Sequence, residues 1–369
     1  MIYLHVPYCH RKCTYCAFYS VVTSQDKEPY VDAVCKELML RRHSMEHPVR
    51  TVYFGGGTPS LLSIRQLGKI VDALREYYDV SNTEEVTLEA NPEDLSLPYL
   101  KELKEWRFFN RLSIGVQSFH DDDLRMLNRR HSAAQAIEAV ANAHTAGFDN
   151  VSLDLIYGLP GQTDADWRDN LAQAGRMGIT HLSAYSLTIE DGTILAGQVA
   201  RGAVKPASED EALCHYRTML SWAKENGFEQ YEISNFCRPG FWARHNSRYW
   251  DRTPYLGVGA AAHSFDGEYR RWNVSDVGEY IQSAATGHIA HDEEQLGLKE
   301  AHNEYIMTAL RTVEGIDKSK VAAPFAARLA KEVGRFVVAG LIEETATHYR
   351  PTTEGLLHAD GIASDLFID

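Results

Sequence analysis

The sequence predicts an α/β fold in which a parallel sheet is wound as a barrel or partial barrel, followed by a small, mainly helical C-terminal domain. Three observations carry that prediction. From Met1 to about Leu187, short β-branched and aromatic runs alternate with amphipathic helical stretches in six units, and parallel strands need such crossover helices. Six units fall short of the eight of a closed barrel. From about Leu298 the chain is helical again, with one hairpin-like stretch.

The strand candidates are residues 2–6, 51–54, 86–90, 111–116, 151–156 and 181–187, each bounded by Gly, Pro or Asn. Between the first two, Val31, Val34, Cys35 and Leu38 follow helical spacing, so Cys35 reads as a core residue. Ser63 can cap a helix whose apolar face is Ile64, Leu67, Ile70, Val71 and Leu74. Ser96 with Pro98, Ser132 and Thr163 open three more, and Gly147 closes the second of these. A helix over 208–226 and a strand over 228–233 come next. The aromatic and glycine-rich stretch 235–272 is too irregular for regular elements and is a candidate binding region. Helices over 304–313 and 323–339 precede a hairpin over 341–350, an order that suggests a winged helix. The expected domains are therefore a barrel over 1–230, an aromatic-rich extension over 231–290 and a helical domain over 291–369. The last begins in a polar linker, His-Asp-Glu-Glu-Gln.

Composition excludes several roles. The 369 residues are 44% apolar and 24% charged, with a net charge of −14. That charge does not suit a nucleic-acid surface or anionic lipid. No apolar run approaches the roughly 18–20 residues of a membrane span, and residues 1–8 lack the features of a secretory signal. Of six cysteines, three crowd one loop and the others are scattered, which fits a reducing cytoplasm and no disulfide framework.

That loop follows the first strand as Cys9-x3-Cys13-x2-Cys16. Three thiolates on one short loop can face a single centre and leave its fourth corner open. Iron–sulfur clusters are held by thiolates, and soft sulfur favours these or zinc. A zinc site completed by His5 or His10 competes, but zinc takes paired ligand spacings and no second pair follows. The loop reads as the seat of a 4Fe–4S cluster with one iron free for a substrate or cofactor.

In parallel α/β barrels, ligand groups project from the C-terminal ends of the strands. Unusual polar residues sit at those places here. After the second strand, Gly55-Gly56-Gly57-Thr58 can let a ligand lie on bare backbone. Glu89 ends the third strand and can hold a ribose hydroxyl or an ammonium. Gln117 follows the fourth, with Arg129 beyond it, and the two can grip a carboxylate. Asp154, between leucines at the end of the fifth, needs a cationic or hydroxyl partner if buried.

Taken together, the cysteine loop, Gly-Gly-Gly-Thr-Pro, Glu-Ala-Asn-Pro, Gly-Val-Gln-Ser and Asp-Leu-Ile-Tyr-Gly-Leu-Pro-Gly resemble the oxygen-independent coproporphyrinogen III oxidase family of radical S-adenosylmethionine (SAM) proteins. The resemblance implies a partial (β/α)6 TIM-like barrel and cluster ligation by Cys9, Cys13 and Cys16. It also implies a free iron chelated by SAM, with SAM contacts from Tyr3, Tyr15, Gly56, Gly57, Thr58, Glu89, Gln117, Arg129 and Asp154. Residues 235–265, with His245-Asn246-Ser-Arg-Tyr249-Trp250 and Leu256-Gly-Val-Gly, are similar to the haem-chaperone branch of that family. In that branch the stretch is associated with haem, which makes His245, Asn246, Tyr249 and Trp250 the expected haem-binding residues. His245 would supply the axial ligand among aromatic rings, and Arg244, Arg248 or Arg252 would pair with propionates. Cys237 and His263 are the alternative axial ligands.

Two departures bear on activity. The true oxidases carry a fourth cysteine where this chain has Phe18, and they have an N-terminal extension where this chain starts eight residues before Cys9. Both tell against decarboxylation and favour the chaperone branch. The expectation is thus a cytoplasmic carrier that binds haem and passes it to acceptor haemoproteins. A flavodoxin- or ferredoxin-type reductant would serve the cluster, and a homodimer is left open. The alternative is radical oxidative decarboxylation of coproporphyrinogen III in porphyrin biosynthesis.

Overall fold

The computed structural model describes residues 1–23, 26–45 and 47–368. Six parallel strands, hydrogen-bonded in chain order, form the centre of its main sheet. They are β1 (Ile2–Val6), β2 (Thr51–Gly56), β3 (Glu85–Ala90), β4 (Arg111–Gln117), β5 (Asn150–Tyr157) and β6 (His181–Ser186). The crossovers are α1 (Glu28–Leu40), α2 (Ile64–Tyr77), α3 (Leu97–Glu105), α4 (Asp121–Met126) with α5 (Ala133–Thr145), and α6 (Asp164–Arg176). Ser63, Ser132 and Thr163 each form a reciprocal capping box with the third helical residue, as their spacing predicts. Ser96 precedes α3 without a side-chain cap bond. Apolar and polar residues alternate along the strands, as Leu112, Ile114 and Val116 do with Arg111, Ser113 and Gln117, because one set packs under the helices and the other turns to the barrel interior.

Two further helices, α7 (Ile194–Ala200) and α8 (Glu209–Glu225), lead to the sheet's far edge. There β7 (Glu229–Gln230) and β8 (Asn235–Cys237) run antiparallel, in the order β6-β8-β7. The strand expected over 228–233 thus shrinks to two residues.

The stretch read as irregular is largely ordered. It contains α9 (Arg244–Trp250) and β9 (Leu256–Val258), and β9 joins the barrel sheet parallel to β1. Among the described residues the sheet therefore has nine strands, and a domain cut at 230 would divide it. Next, β10 (His263–Phe265), β11 (Tyr269–Asn273) and β12 (His291–Gln295) form an antiparallel sheet, with α10 (Val277–Ala285) between the last two. The acidic stretch expected to be a linker is β12. It can be a strand because Glu294 lies opposite Arg270 and Glu293 opposite Arg271, opposite charges that favour cross-strand pairing.

One buried carboxylate ties this region to the barrel. Glu37 of α1 accepts hydrogen bonds from Gly259 N (2.9 Å), Asn273 Nδ2 (2.9 Å), Tyr280 Oη (2.7 Å) and Arg41 Nη1 (3.3 Å).

The C-terminal unit runs α11 (Leu298–Leu310), β13 (Ile316–Asp317), α12 (Ala323–Val338), β14 (Ile342–Glu344), β15 (His348–Pro351), α13 (Thr353–Leu357) and α14 (Ala359–Leu366). It has its own apolar core, including Ile306, Leu310, Leu329, Val333 and Ile342. Among the described residues no helix is long and apolar enough to cross a membrane.

Candidate functional site

The C-terminal ends of β1 to β6 surround one cavity of about 550 Å³. Cys9, Cys13 and Cys16 line it together with Tyr15, Gly56, Gly57, Thr58, Glu89, Gln117, Arg129 and Asp154. Tyr3 lies outside the lining. Its hydroxyl is 3.0 Å from His5 Nδ1 and its ring stacks on Tyr53, so it packs beneath the cavity wall.

The turn after α4 holds the cysteine loop. Thr14 donates its N–H to Leu127 O and its hydroxyl to Met126 O, both at 3.1 Å, and Asn128 Nδ2 donates to Lys12 O at 2.8 Å. Cys9 Sγ lies 3.5 Å from Thr58 Oγ1, and Arg129 Nη1 donates to Cys13 Sγ at 3.5 Å. Burial raises the Cys9 and Cys16 thiols above a free thiol, and metal ligation reverses that preference by drawing out the thiolate. Among the described residues no three His, Cys, Asp or Glu side chains converge on one metal-ion position. His5, the rival zinc ligand, has its ring nitrogens against Tyr3 Oη and Tyr19 O. All three thiols open into the same cavity, so they can serve as corners for one cluster.

Other features of the cavity fit an amino-acid ligand. Arg129 Nη2 is fixed by Asn91 Oδ1 (2.7 Å) and Gly115 O (2.6 Å), while its buried Nε has no acceptor. A ligand carboxylate would supply one. β4 is bulged between Gly115 and Gln117, and Gln117 has φ of 71°, a conformation costly for a long side chain. A Cβ at Gly115 would stand 3.0 Å from Gln117 Nε2 and 3.4 Å from Arg129 Nη2, so this glycine makes room for both groups. The Gly55–Gly57 run answers to the protein's own packing as well as to the cavity. A Cβ would come within 2.8 Å of the Tyr53 ring at Gly55, of the His5 ring at Gly56 and of Tyr8 O at Gly57.

Two acids face this space. Burial raises Glu89 to about 7, against hydrogen bonds from Tyr53 Oη (2.6 Å) and Gly56 N (3.1 Å). Burial likewise raises Asp154 to about 6, opposed by Arg111 and by the Ser113 and Ser183 hydroxyls. Both are poised to ionise when a cationic or hydroxyl-rich ligand arrives.

The residues expected to hold haem lie elsewhere. α9 closes the opposite end of the barrel, where the N–H groups of Arg244 and His245 donate to Glu85 at 2.8 and 3.0 Å. His245 is fully buried, with Nδ1 2.9 Å from Thr51 Oγ1, Nε2 3.1 Å from Tyr249 Oη and its ring stacked on Tyr53. An iron on either nitrogen would displace one of those partners. Asn246, Tyr249 and Trp250 are half-buried on the same helix. Arg244 and Arg248 pair with Glu84, and Arg252 with Glu304. Cys237 is buried, which pushes its thiol up to about 12, whereas His263 is exposed on β10.

Comparison with known proteins decides the family. The Radical SAM superfamily profile matches residues 3–174, and that of the HemN C-terminal domain matches residues 296–358. A protein of Lactococcus lactis named "Heme chaperone HemW" is 36% identical over 334 residues, covering 90% of this chain and 86% of its own. Its Mycobacterium tuberculosis namesake is 36% identical over 374 residues, covering 99% and 94%. The chain belongs to the HemW family. Among solved structures, coproporphyrinogen III oxidase (HemN) from Escherichia coli is similar with a TM-score of 0.85 at 24% identity, covering 99% of this chain and 89% of that one. That likeness speaks for the fold alone. Membership of the radical SAM superfamily implies a 4Fe–4S cluster and SAM, and the cavity has the donors to hold them.

Sequence reasoning missed Asn91, Gly115 and Tyr53, which hydrogen-bond to Arg129 or Glu89 from behind, and Arg111, whose charge favours the ionised form of Asp154. Asn91 had a signal: it stands two residues beyond Glu89 in the Glu-Ala-Asn-Pro motif. Arg111 had none, since a cation at the start of a strand reads as exposed, yet it is 1% exposed inside the barrel.

Proposed function

We propose that this protein binds haem and transfers it to acceptor haemoproteins, under the control of a SAM-coordinated 4Fe–4S cluster. The observation that carries the reading is the likeness, over nearly the whole of both chains, to relatives named for haem chaperoning. Cys9, Cys13 and Cys16 would hold the cluster, which supplies one-electron chemistry to SAM when reduced. Arg129 and Gln117 would grip the SAM carboxylate, and Glu89 and Asp154 its ammonium or ribose hydroxyls, against Gly56, Gly57, Thr58 and Tyr15. Tyr3 would act from beneath, through His5 and Tyr53.

For haem, the reading keeps the α9 region and changes the role of His245. With both ring nitrogens engaged, it orients Tyr249 and the helix. His263, exposed and stacked on Trp272 at 6.0 Å, is the better-placed axial ligand. Six free cysteines and a thiolate-bound cluster suit a cytoplasmic location and a flavodoxin- or ferredoxin-type reductant.

Anaerobic cluster reconstitution followed by haem titration tests the proposal, with parallel assays for 5′-deoxyadenosine and coproporphyrinogen consumption. Haem binding without coproporphyrinogen loss is expected. Product formation in the absence of haem binding would overturn it in favour of the oxidase reading.

A further inference from the structure

A second cleft, of about 210 Å³, lies where α9 and the β10–β11 hairpin meet α11 of the C-terminal unit. Its polar side is unusual. Arg270 Nη1 is 3.0 Å from Glu304 Oε1 and Arg270 Nη2 donates to Glu304 Oε2 at 3.1 Å, while Arg252 Nη2 approaches the same carboxylate at 3.6 Å. Both guanidiniums lie over the Phe265 ring, at 5.2 and 5.9 Å from its centroid. Two cations thus share one anion in the cleft. Two buried donors, Arg270 Nε and Trp250 Nε1, have no acceptor, an arrangement that costs free energy unless a ligand satisfies it. The remaining walls are aromatic, with Tyr249, Trp250 and Tyr255 among them.

A site with a surplus cation, spare N–H donors and ring-lined walls suits a flat aromatic ligand bearing carboxylates. We propose that this cleft seats the carboxylate edge of haem, with one propionate taking the place of Glu304 between Arg252 and Arg270 and Trp250 Nε1 donating to it. The inference rests on the haem reading above and names the site. The volume takes the propionate edge, and the macrocycle extends through the open side. Because Glu304 belongs to α11 and the other groups to the 249–270 segment, haem binding would exchange the ion pair that links the two parts of the chain for contacts to the propionate.

The test is a titration of the purified full chain with haem and with haem dimethyl ester, followed in the Soret band. Wild type, Arg270→Gln and Glu304→Gln are compared, and thermal melts check folding. Arg270→Gln is expected to weaken haem binding roughly tenfold or more, the effect of one charge-assisted hydrogen bond. Glu304→Gln is expected to tighten it, since the resident competitor is gone, and the ester is expected to bind weakly and alike to all three. A purely structural ion pair predicts instead that both variants melt earlier and neither gains affinity, which overturns the inference. Equal haem affinity in all three proteins overturns the site and leaves the haem reading standing. Failure of wild type to bind haem overturns both.

Discussion

Replacing Tyr53 with Phe removes one hydroxyl from beneath the cavity, and its consequence can be worked out. That hydroxyl donates to Glu89 Oε1 at 2.6 Å, leaving Gly56 N at 3.1 Å as the other bond to this carboxylate. Burial already raises Glu89 to about 7. A hydrogen bond to a charged group contributes about 1.5–3 kcal/mol, which is about 1–2 pK units. Glu89 in the variant should therefore titrate near 8–9. At pH 7 its ionised share should drop from about a half to between about a tenth and a hundredth. SAM held by the ionised carboxylate should then bind about five- to fifty-fold more weakly at pH 7 and recover as the pH rises through the new pKa. Equilibrium SAM binding to the reconstituted protein from pH 6 to 9 measures this. The reasoning is refuted by a loss of the same size at every pH, or by no loss at all.

Three other outcomes are expected. Glu89→Gln should change the pH dependence of stability: a carboxyl raised from 4.5 to about 7 by burial favours the fold fully below its ordinary value and loses that advantage as pH rises through 7. Urea unfolding of the variant should therefore lack about 3 kcal/mol of the wild-type decline across that window. Glu37→Ala deletes a buried carboxylate serving three elements and should cost about 3–5 kcal/mol, read from the same transition. Cys13→Ala should abolish iron retention after reconstitution while leaving the far-UV spectrum and melting point of the metal-free protein nearly unchanged, because Thr14 and Asn128 hold the loop.

The parts of the fold legible in the sequence are those specified by local patterns. The six central strands and their capped helices follow from apolar runs and Ser or Thr caps, and the cysteine loop from its spacing. What was not legible depends on distant partners. Leu256–Val258 is too short to show periodicity, and it becomes a strand because β1 offers an open edge and Glu37 receives the Gly259 N–H. The His291–Gln295 run reads as linker until Arg270 and Arg271 are seen across from its acids. In the site, the residues that line the cavity could be picked from strand ends, but Tyr3 could not be told from them: its place on β1 gives no sign that Tyr53 and His5 hold it below. His245 is ambiguous for the same reason. A histidine among aromatic residues is equally suited to hold iron or to fill the end of a barrel, and its contacts Thr51 and Tyr53 lie far from it in sequence.

The most direct measurement is the electron paramagnetic resonance spectrum of the reduced, reconstituted cluster with and without SAM. The proposed ligation by Cys9, Cys13 and Cys16 would leave one iron open to the cofactor, so the signal should shift when SAM is added, and no cluster should form in variants of any of the three. A spectrum indifferent to SAM, or a cluster that survives loss of one of these thiols, would contradict the account.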